Sequence, residues 1–251
     1  MSHKLNLISL LGNAGCGKNT VAEILLKATQ GSSLAFSAPL KELAAVLFQF
    51  SKEQLFGPSE KRNEADPRKN DVEYQKGILD RFAKHGYIWM DTVLPPNVDR
   101  LTAFSALIRW LKSVNEAPEL SARLVLQTLG TEWGRTVYAP IWVEYGIHRA
   151  QKLLEAGVPL VVLEDCRFIN EARATREAGG DVWLIDRPSR AELTAGVPNH
   201  ASEREQTSDE MKQYLSVTVY NHGTLEDLER NVLNLLKERF PDVKNVQSGT
   251  P

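Results

Sequence analysis

A chain of 251 residues is long enough to bury one large α/β core that carries an inserted segment, so two independent domains are not required. Its net charge of −2 gives no overall reason to expect nucleic acid as a partner. Two cysteines, Cys16 and Cys166, lie outside any CxxC pair and argue against a disulfide framework or a structural zinc. No signal peptide or bilayer-spanning apolar run is recognisable, so we expect a cytoplasmic protein without a membrane partner.

The first distinctive stretch is a glycine-rich loop between an apolar strand over 5–11 and a helix predicted to begin near Val21. Its residues are Gly12, Asn13, Ala14, Gly15, Cys16, Gly17, Lys18, Asn19 and Thr20. The glycines let backbone N–H groups approach phosphate oxygens, and Lys18 adds positive charge beside the positive end of the helix dipole. Thr20 is the predicted hydroxyl ligand of Mg²⁺. We therefore predict that the loop binds a nucleoside triphosphate.

Asn19 is a departure from the strict phosphate-loop pattern, in which Ser or Thr follows the lysine directly. The resulting spacing resembles the loops of nucleoside monophosphate kinases more than those of GTPases or motor ATPases. The alternative is a glycine-rich turn with a solvated lysine. The order of strand, loop and helix favours the phosphate site.

The alternation of short apolar runs with helical patterns predicts a parallel sheet covered by helices on both faces. The predicted strands are residues 5–11, 34–37, 160–164, 182–186 and 217–220. The fold class is therefore α/β, a three-layer sandwich of the P-loop NTPase type with a five-stranded parallel sheet. Residues 1–251 form a single domain in this prediction, with a closing helix over 225–240 and a loose tail over 241–251.

A second predicted anion contact follows the strand over 34–37, where Ser37 and Pro39 begin a helix. Ligands of open α/β sheets bind beyond the carboxyl ends of the strands, and Lys41 lies one turn into this helix. We therefore assign Ala38 and Lys41 to a substrate site. The alternative for Lys41 is a solvated surface side chain.

The segment 52–118 has a different pattern, with prolines near both ends and a charged run over 59–73. This pattern predicts an inserted excursion from the sheet, part helix and part loop, that folds over the site as a lid. Arg62 and Arg68 are its candidate substrate contacts, and Arg68 is included in the predicted site. The alternative is a solvated charged loop.

The stretch 123–135 predicts a helix that Ser121 caps and Gly130 ends. Arg123 and Gln127 are four residues apart and share one face of this helix. That spacing directs a guanidinium and an amide at one ligand.

Asp165 follows the strand over 160–164, where a carboxylate can hold Mg²⁺ through water or bind a substrate hydroxyl. Arg167 is predicted to bind a substrate phosphate. The alternative is an Arg167–Glu171 ion pair that only stabilises the next helix. We interpret His200 and Glu203 as a capping pair and not as catalytic groups.

Together these stretches resemble the deoxynucleoside monophosphate kinases of tailed bacteriophages over nearly the whole chain. The resemblance is carried by residues 12–20, 37–41, Arg123 with 126–132, 165–171 and 200–203. It implies that ATP lies around residues 15–20, and Arg187 is added to this set. It also implies that the deoxynucleotide lies around Lys41, Arg123, Gln127, Gly130, Thr131, Trp142, Asp165, Arg167 and Glu171. The segment 52–118 matches least well.

The predicted reaction moves the γ-phosphoryl group of ATP, bound with Mg²⁺, to a deoxynucleoside monophosphate and gives the diphosphate. Lys18, Arg123, Asp165 and Arg167 are the predicted catalytic residues. Water must be excluded, which the segment 52–118 and the loop after Arg187 would do by closing.

Two other functions stay open at this stage. One is a kinase for another small acceptor such as dephospho-coenzyme A, in which Asp165 would activate a hydroxyl. The other is a nucleotide-dependent switch or binding module, which the lack of an Asn-Lys-x-Asp guanine motif disfavours. A homodimer is a possible assembly, and a phage-encoded enzyme of this kind would act in the host cytoplasm.

Overall fold

The computed structural model of the protein describes residues 4–13, 15–187 and 208–243. The chain divides into two compact units: unit 1 is Met1–Phe36 with Gly146–Pro251, and unit 2 is Ser37–Tyr145. Unit 2 is therefore continuous in sequence and interrupts unit 1. Each unit contains a hydrophobic cluster of its own.

Unit 1 is built on a parallel sheet, and its five described strands lie in the order β2–β3–β1–β4–β5. They are β1 (Leu7–Leu11), β2 (Ser32–Leu34), β3 (Val161–Cys166), β4 (Asp181–Asp186) and β5 (Val217–Tyr220). Every residue of β1 is buried, as expected for a central parallel strand that is covered on both faces.

The helices occupy both units. In chain order they are α1 (Lys18–Thr29), α2 (Ala38–Phe48), α3 (Lys52–Phe56), α4 (Ser59–Asn63), α5 (Val72–Val93), α6 (Arg100–Glu116), α7 (Ala122–Thr128), α8 (Ile141–Glu155), α9 (Ile169–Glu177), α10 (Asp209–Lys212) and α11 (Leu225–Arg239). A short 3₁₀ helix covers Pro67–Asn70, and a π-helix over Leu129–Arg135 continues α7. The residues at which the units meet in sequence, Tyr145 and Gly146, lie within α8.

Helices cover both faces of the sheet in unit 1. Ile8 and Leu10 of β1 belong to one cluster with side chains of α1 and α11. Between them in sequence, Ser9 Oγ lies 2.7 Å from Thr175 Oγ1 of α9. Because successive side chains of a strand point to opposite faces, α9 lies on the face opposite to α1 and α11. The predicted α/β class, a three-layer sandwich around a five-stranded parallel sheet, is confirmed for the described residues.

A buried carboxylate joins the amino end of β4 to α9 and α11. Asp181 accepts hydrogen bonds from Arg239 at 2.8 and 3.0 Å and from Arg176 at 3.0 Å, and Lys4 Nζ lies 3.6 Å away. Burial alone would raise the pKa of Asp181, but hydrogen bonds from Arg239 and the charges of the three cations lower it overall. The ionised carboxylate therefore stabilises unit 1.

Unit 2 is helical in its regular structure. Its core includes Phe48 of α2, Trp110 of α6 and Trp133 of the π-helix. The segment 52–118 contains α3 to α6 and no strand. Its helix content is higher than expected from the prediction of part helix and part loop. Its closure over a site stays a prediction.

The position of β2 corrects one prediction. The strand expected over 34–37 lies at Ser32–Leu34, where it pairs with β3. The chain turns immediately afterwards, and the backbone N–H of Phe36 donates to Asp165 Oδ1 at 2.8 Å instead of extending the strand. The helix expected near Val21 also begins earlier, at Lys18, because the backbone N–H of Val21 already bonds to the carbonyl of Gly17 at 3.0 Å.

The end of α7 corrects another prediction. Ser121 does cap this helix, since its hydroxyl accepts the backbone N–H of Leu124 at 3.2 Å. Gly130, however, does not end it, because the chain continues as the π-helix to Arg135. The carbonyl of Gly130 accepts the indole N–H of Trp142 at 2.9 Å, which gives this backbone group a partner from a later helix.

Several predictions fall on residues outside the described ranges. They concern Ala14, the loop that follows Arg187, the pair His200 and Glu203, and the part of the expected loose tail over 244–251. Phe240 and Val243, just before that last segment, are buried in the cluster of unit 1.

Candidate active site

The loop between β1 and α1 has a backbone that requires glycine at two positions. Gly12 has φ of +145°, and a Cβ there would lie 2.7 Å from the carbonyl oxygen of Ile185. Gly17 has φ of +107°, and a Cβ there would lie 2.5 Å from Asn221 Nδ2. Gly15 also has a positive φ, of +78°, but no close neighbour. The loop is therefore packed tightly against the ends of β4 and β5.

The Lys18 amine lies on this loop. Its Nζ donates to the carbonyl of Gly12 at 2.6 Å and to that of Asn13 at 2.9 Å. Both acceptors are neutral backbone groups. A phosphate oxygen carries charge and is a stronger acceptor, so it can replace either carbonyl at the amine.

Burial and three neighbouring side chains influence the pKa of Lys18. Burial lowers the pKa of the Lys18 amine; the Cys16 thiol and the Asp165 carboxylate raise it, and the Arg167 guanidinium lowers it. The end of β3 therefore brings a carboxylate and a guanidinium close enough to influence the pKa of the Lys18 amine.

The amino end of α1 adds a second source of positive potential. The first N–H groups of a helix have no partner within the helix, and the residue at the N-cap, Gly17, has no side chain that could cap this end. The first turn of α1 contains no acidic residue and does contain Thr20. The loop and the helix end together form an anion-binding surface.

Asp165 and Glu171 are both held by backbone groups. Asp165 accepts the N–H of Phe36, which fixes its carboxylate at the end of β3. Glu171 is buried, and its Oε2 accepts the N–H groups of Arg167 at 2.7 Å and Phe168 at 3.1 Å. The Glu171 carboxylate thus caps α9, while the Arg167 side chain is exposed.

Asn221 is a residue that sequence reasoning missed, because residues 221–224 are predicted only as a turn. The Asn221 backbone N–H donates to the carbonyl of Asp186 at 2.8 Å, and its Nδ2 donates to that of Cys16 at 2.8 Å. Beside it, His222 Nε2 lies 3.3 Å from Asp186 Oδ2. The signal that could have identified Asn221 is its place directly after β5, at the edge where α/β sheets bind ligands. Arg187, directly after β4, is exposed.

Two of the predicted substrate residues, Trp142 and Gly130, lie in the core of unit 2. The Trp142 indole is 6% exposed, bonds to the Gly130 carbonyl and packs near Trp89 and Trp133, with ring centroids 6.2 and 6.0 Å away. Gly130 is itself buried. In the described structure these two residues shape the π-helix.

Arg68 is engaged by a buried carboxylate of unit 2. It donates to Asp66 through NH2 at 2.6 Å and through Nε at 2.9 Å, and its guanidinium lies over the ring of Tyr74. Burial alone would raise the pKa of Asp66, but hydrogen bonds and charge from Arg68 lower it overall. Arg68 NH2 also donates to the carbonyl of Phe48 at 3.3 Å, so this pair joins the 3₁₀ helix to the end of α2.

Arg123, Gln127 and Thr131 follow one another at intervals of four residues along α7 and the π-helix. Arg123 NH2 donates to Ser59 Oγ at 3.1 Å, but its Nε is buried and has no hydrogen-bond partner among the described residues. Gln127 and Thr131 are exposed. This face therefore places a guanidinium next to two polar side chains, and one N–H of that guanidinium is buried without a partner in the described part of the chain.

Lys41 and Ala38 lie on the first turns of α2. Lys41 Nζ lies 4.3 Å from the ring centroid of Phe56, whose side chain is 61% exposed. Ala38 is half-buried at the first position of the helix. The Lys41 amine is thus held near the surface of unit 2 by an aromatic ring.

The family model for deoxynucleotide monophosphate kinases matches residues 6–232 of the chain. The chain belongs to the deoxynucleotide monophosphate kinase family. It is therefore a kinase that transfers the γ-phosphoryl group of ATP to a deoxynucleoside monophosphate, and the family and enzyme class predicted from the sequence are confirmed.

Two viral relatives of this kinase carry the same kind of name. The chain is 30% identical over 195 residues to the deoxynucleoside-5′-monophosphate kinase of Escherichia phage T5. This match covers 68% of the chain and 72% of the relative. The chain is 25% identical over 228 residues to a protein of Acanthamoeba polyphaga mimivirus provisionally named deoxynucleotide monophosphate kinase, which covers 91% of this chain and 94% of the relative.

Among solved structures, the kinase is similar to a dephospho-CoA kinase from Campylobacter jejuni. That match has a TM-score of 0.43 and 14% identity and covers 94% of this chain and 98% of the other. Among the described helices we find none with the length and apolar character that a membrane span requires.

Proposed function

We propose that unit 1 binds ATP through residues 12–20, with Arg187 as an additional contact. The Lys18 amine carries this proposal, because it donates to two neutral carbonyls of its own loop, and the charges of Asp165 and Arg167 also influence its pKa. The uncapped amino end of α1 supports it. In this proposal Lys18 neutralises negative charge on the β- and γ-phosphates of ATP, between which the bond breaks.

The proposed acceptor contacts come from several parts of the chain. Arg123 and Arg167 bind the phosphate of the deoxynucleotide, and Arg123 is favoured by its buried Nε, which has no hydrogen-bond partner among the described residues. Lys41, Gln127 and Thr131 contribute further polar contacts. The other predicted members, Ala38, Arg68, Gly130, Trp142 and Glu171, act in this proposal by holding helices in place.

Mg²⁺ fits the residues that are present. It prefers oxygen ligands and in kinases uses one or two protein groups, with phosphate oxygens and water completing the shell. Thr20 would hold the ion with its hydroxyl, and Asp165 would hold it through water. When bound, the ion supplies charge neutralisation on the triphosphate.

The reaction asks mainly for positioning and for compensation of charge. The nucleophile is an oxygen of the acceptor phosphate, which is already ionised near neutral pH and needs no general base. The principal obstacle is repulsion between two anions. Lys18, Arg123 and Arg167 therefore contribute positive charge, and Asp165 acts as a fixed carboxylate rather than as a base.

The test is a transfer assay with ATP·Mg²⁺ and each deoxynucleoside monophosphate, each ribonucleoside monophosphate and dephospho-coenzyme A in turn. We expect ADP and a deoxynucleoside diphosphate in equal amounts, and the same assay gives the base preference. Lys18→Ala protein, purified identically, controls for contaminating kinases. ATP hydrolysis without a phosphorylated acceptor, or transfer only to dephospho-coenzyme A, would overturn the proposal.

A further inference from the structure

The residue that follows β5 connects the loop between β1 and α1 to the neighbouring strand. Asn221 uses its backbone N–H to bind the Asp186 carbonyl at the end of β4, which fixes the position of its own backbone. Its side-chain amide then donates to the Cys16 carbonyl at 2.8 Å. Asn221 therefore connects the loop to the edge of the sheet through two hydrogen bonds.

The Asn221 amide also lies directly against Gly17. A Cβ on Gly17 would be 2.5 Å from Asn221 Nδ2 and 3.7 Å from its Cγ, so this approach is possible only because Gly17 has no side chain. The two residues are sterically complementary. The hydrogen bond to Cys16 and the contact with Gly17 involve the two ends of a single peptide group.

The geometry of that peptide group gives the contact a consequence for anion binding. In a trans peptide the carbonyl and the N–H point in opposite directions. Because Asn221 holds the Cys16 carbonyl on its own side, the N–H of Gly17 is directed to the other side of the loop. There it is available to an anion instead of to the protein.

We propose that Asn221 is a positioning residue for ATP: it fixes the orientation of the Cys16–Gly17 peptide so that the Gly17 N–H binds a phosphate oxygen of the nucleotide. This rests on the proposed function, in which residues 12–20 bind ATP. Asn221 touches no reacting atom in this arrangement. Its effect is confined to the donor nucleotide, so the acceptor should not be affected.

Two substitutions of Asn221 test the hydrogen bond. Asn221→Ala removes it, and we expect the Kd and KM for ATP to rise by about three- to tenfold, the range of a typical neutral hydrogen bond. Asn221→Asp keeps the shape, but an ionised carboxylate cannot donate and faces a carbonyl oxygen, so its effect should be larger. The KM of the acceptor should stay at the parental value in both variants.

His222→Ala is the matched control. His222 lies on the same turn and contacts Asp186 and the ring of Tyr220, and this substitution leaves the amide of Asn221 in place. We expect parental ATP binding. The proposal is overturned if His222→Ala weakens ATP binding as much as Asn221→Ala, or if the two Asn221 variants raise the KM of both nucleotides equally.

A double-mutant cycle keeps the test independent of any general effect on folding. Gly17→Ala should reduce ATP affinity strongly in the parent and by a smaller factor in Asn221→Ala protein, where the amide that its Cβ would meet is absent. Equal factors in the two backgrounds would contradict the interaction. If the parent binds ATP and Lys18→Ala weakens that binding while the Asn221 variants do not, only the role of Asn221 fails; if the parent does not bind ATP, the proposed function itself fails.

Discussion

Lys18 in unit 1 and Arg68 in unit 2 are both cations that the sequence assigns to a phosphate-binding site, yet their surroundings differ. The Lys18 amine donates to two neutral carbonyls of its own loop. The Arg68 guanidinium forms two hydrogen bonds to Asp66, whose carboxylate is buried. A ligand phosphate can displace a carbonyl from Lys18 with a gain in free energy, whereas at Arg68 it would have to replace a carboxylate and leave that buried group without its cation.

The partner of a cation thus separates a binding role from a structural role better than the place of that cation in a motif does. Arg123 lies between the two extremes. It has one neutral partner, Ser59, and one buried N–H without a partner among the described residues. By this criterion Arg123 belongs with Lys18.

The largest expected effect is that of Lys18→Ala on catalysis. Loss of a charge that stabilises the transferred phosphates should lower kcat by a factor on the order of 10² to 10³. The melting temperature without ligand should change little, because the lost contacts are two hydrogen bonds to backbone carbonyls and one long contact with the Cys16 sulfur, all within the loop itself. Steady-state kinetics and a thermal melt measure both quantities. If the variant melts well below the parent, or keeps near-parental turnover, Lys18 does not act in phosphate binding.

Arg167→Lys should have the next largest effect. Lysine keeps the charge but cannot bind two phosphate oxygens with a planar fork, so acceptor affinity should fall by a factor on the order of 10 to 100. ATP affinity should remain close to parental. Separate titrations of the two nucleotides measure this. Equal losses at both would show that Arg167 does not act on the acceptor.

Arg68→Ala should affect stability rather than catalysis. Asp66 would keep the backbone N–H of residue 68 but lose the guanidinium, so the free energy of unfolding should fall by about 2 kcal/mol. Arg109→Ala, at an exposed position of α6, is the matched control. Urea unfolding measures the difference. If Arg68→Ala protein is as stable as the parent but has a raised acceptor KM, Arg68 is a substrate contact and the structural role is wrong.

Acid should act on the carboxylate network of unit 1. The pKa of Asp181 is lower in the folded protein than the value of about 3.9 expected when unfolded, so the unfolded chain gains a proton first as pH falls. The stabilisation is therefore complete above about pH 4 and is lost as pH falls further towards the folded pKa. Between pH 6 and pH 3, in urea unfolding, the parent should therefore lose more of its free energy of unfolding than Asp181→Asn does. Asp80→Asn, on exposed α5 surface, should follow the parent; an identical pH dependence in Asp181→Asn would contradict the assignment.

The smallest expected effect concerns the predicted lid, residues 52–118. If this segment closes during catalysis, its amide hydrogens should exchange more slowly when ATP and a deoxynucleotide are both bound. The core amides of β1 provide the internal reference. Equal exchange with and without the nucleotides would mean that another element excludes water.

The sequence predicts unit 1 well because its signals are local. The glycines of the loop, its lysine and the carboxylate near the end of β3 have spacings that physical chemistry links directly to phosphate binding, and β5 is predicted with its observed bounds. The neighbours of the loop are less predictable. Asn221 meets Cys16 across 205 positions of sequence, and no local pattern announces that contact.

The predictions for unit 2 are weaker for a related reason. Trp142 and Gly130 are chemically plausible ligand contacts, but their mutual hydrogen bond and burial depend on how α8 packs against the π-helix. Arg68 has the charge of a phosphate ligand, and only the burial of Asp66 shows why it is held elsewhere. In both cases tertiary packing decides a role that residue type leaves open.

The interruption of unit 1 by unit 2 has a consequence for synthesis on the ribosome. β1 emerges near the start of translation, but Leu7 pairs with Val161 and Ile8 with Asp181, which are made only after all of unit 2. Unit 2 is continuous and has its own hydrophobic cluster, so it can acquire structure while β1 and β2 still lack their partners. The anion-binding loop thus depends on the last-made strands, and the nascent enzyme becomes competent only when translation is nearly complete.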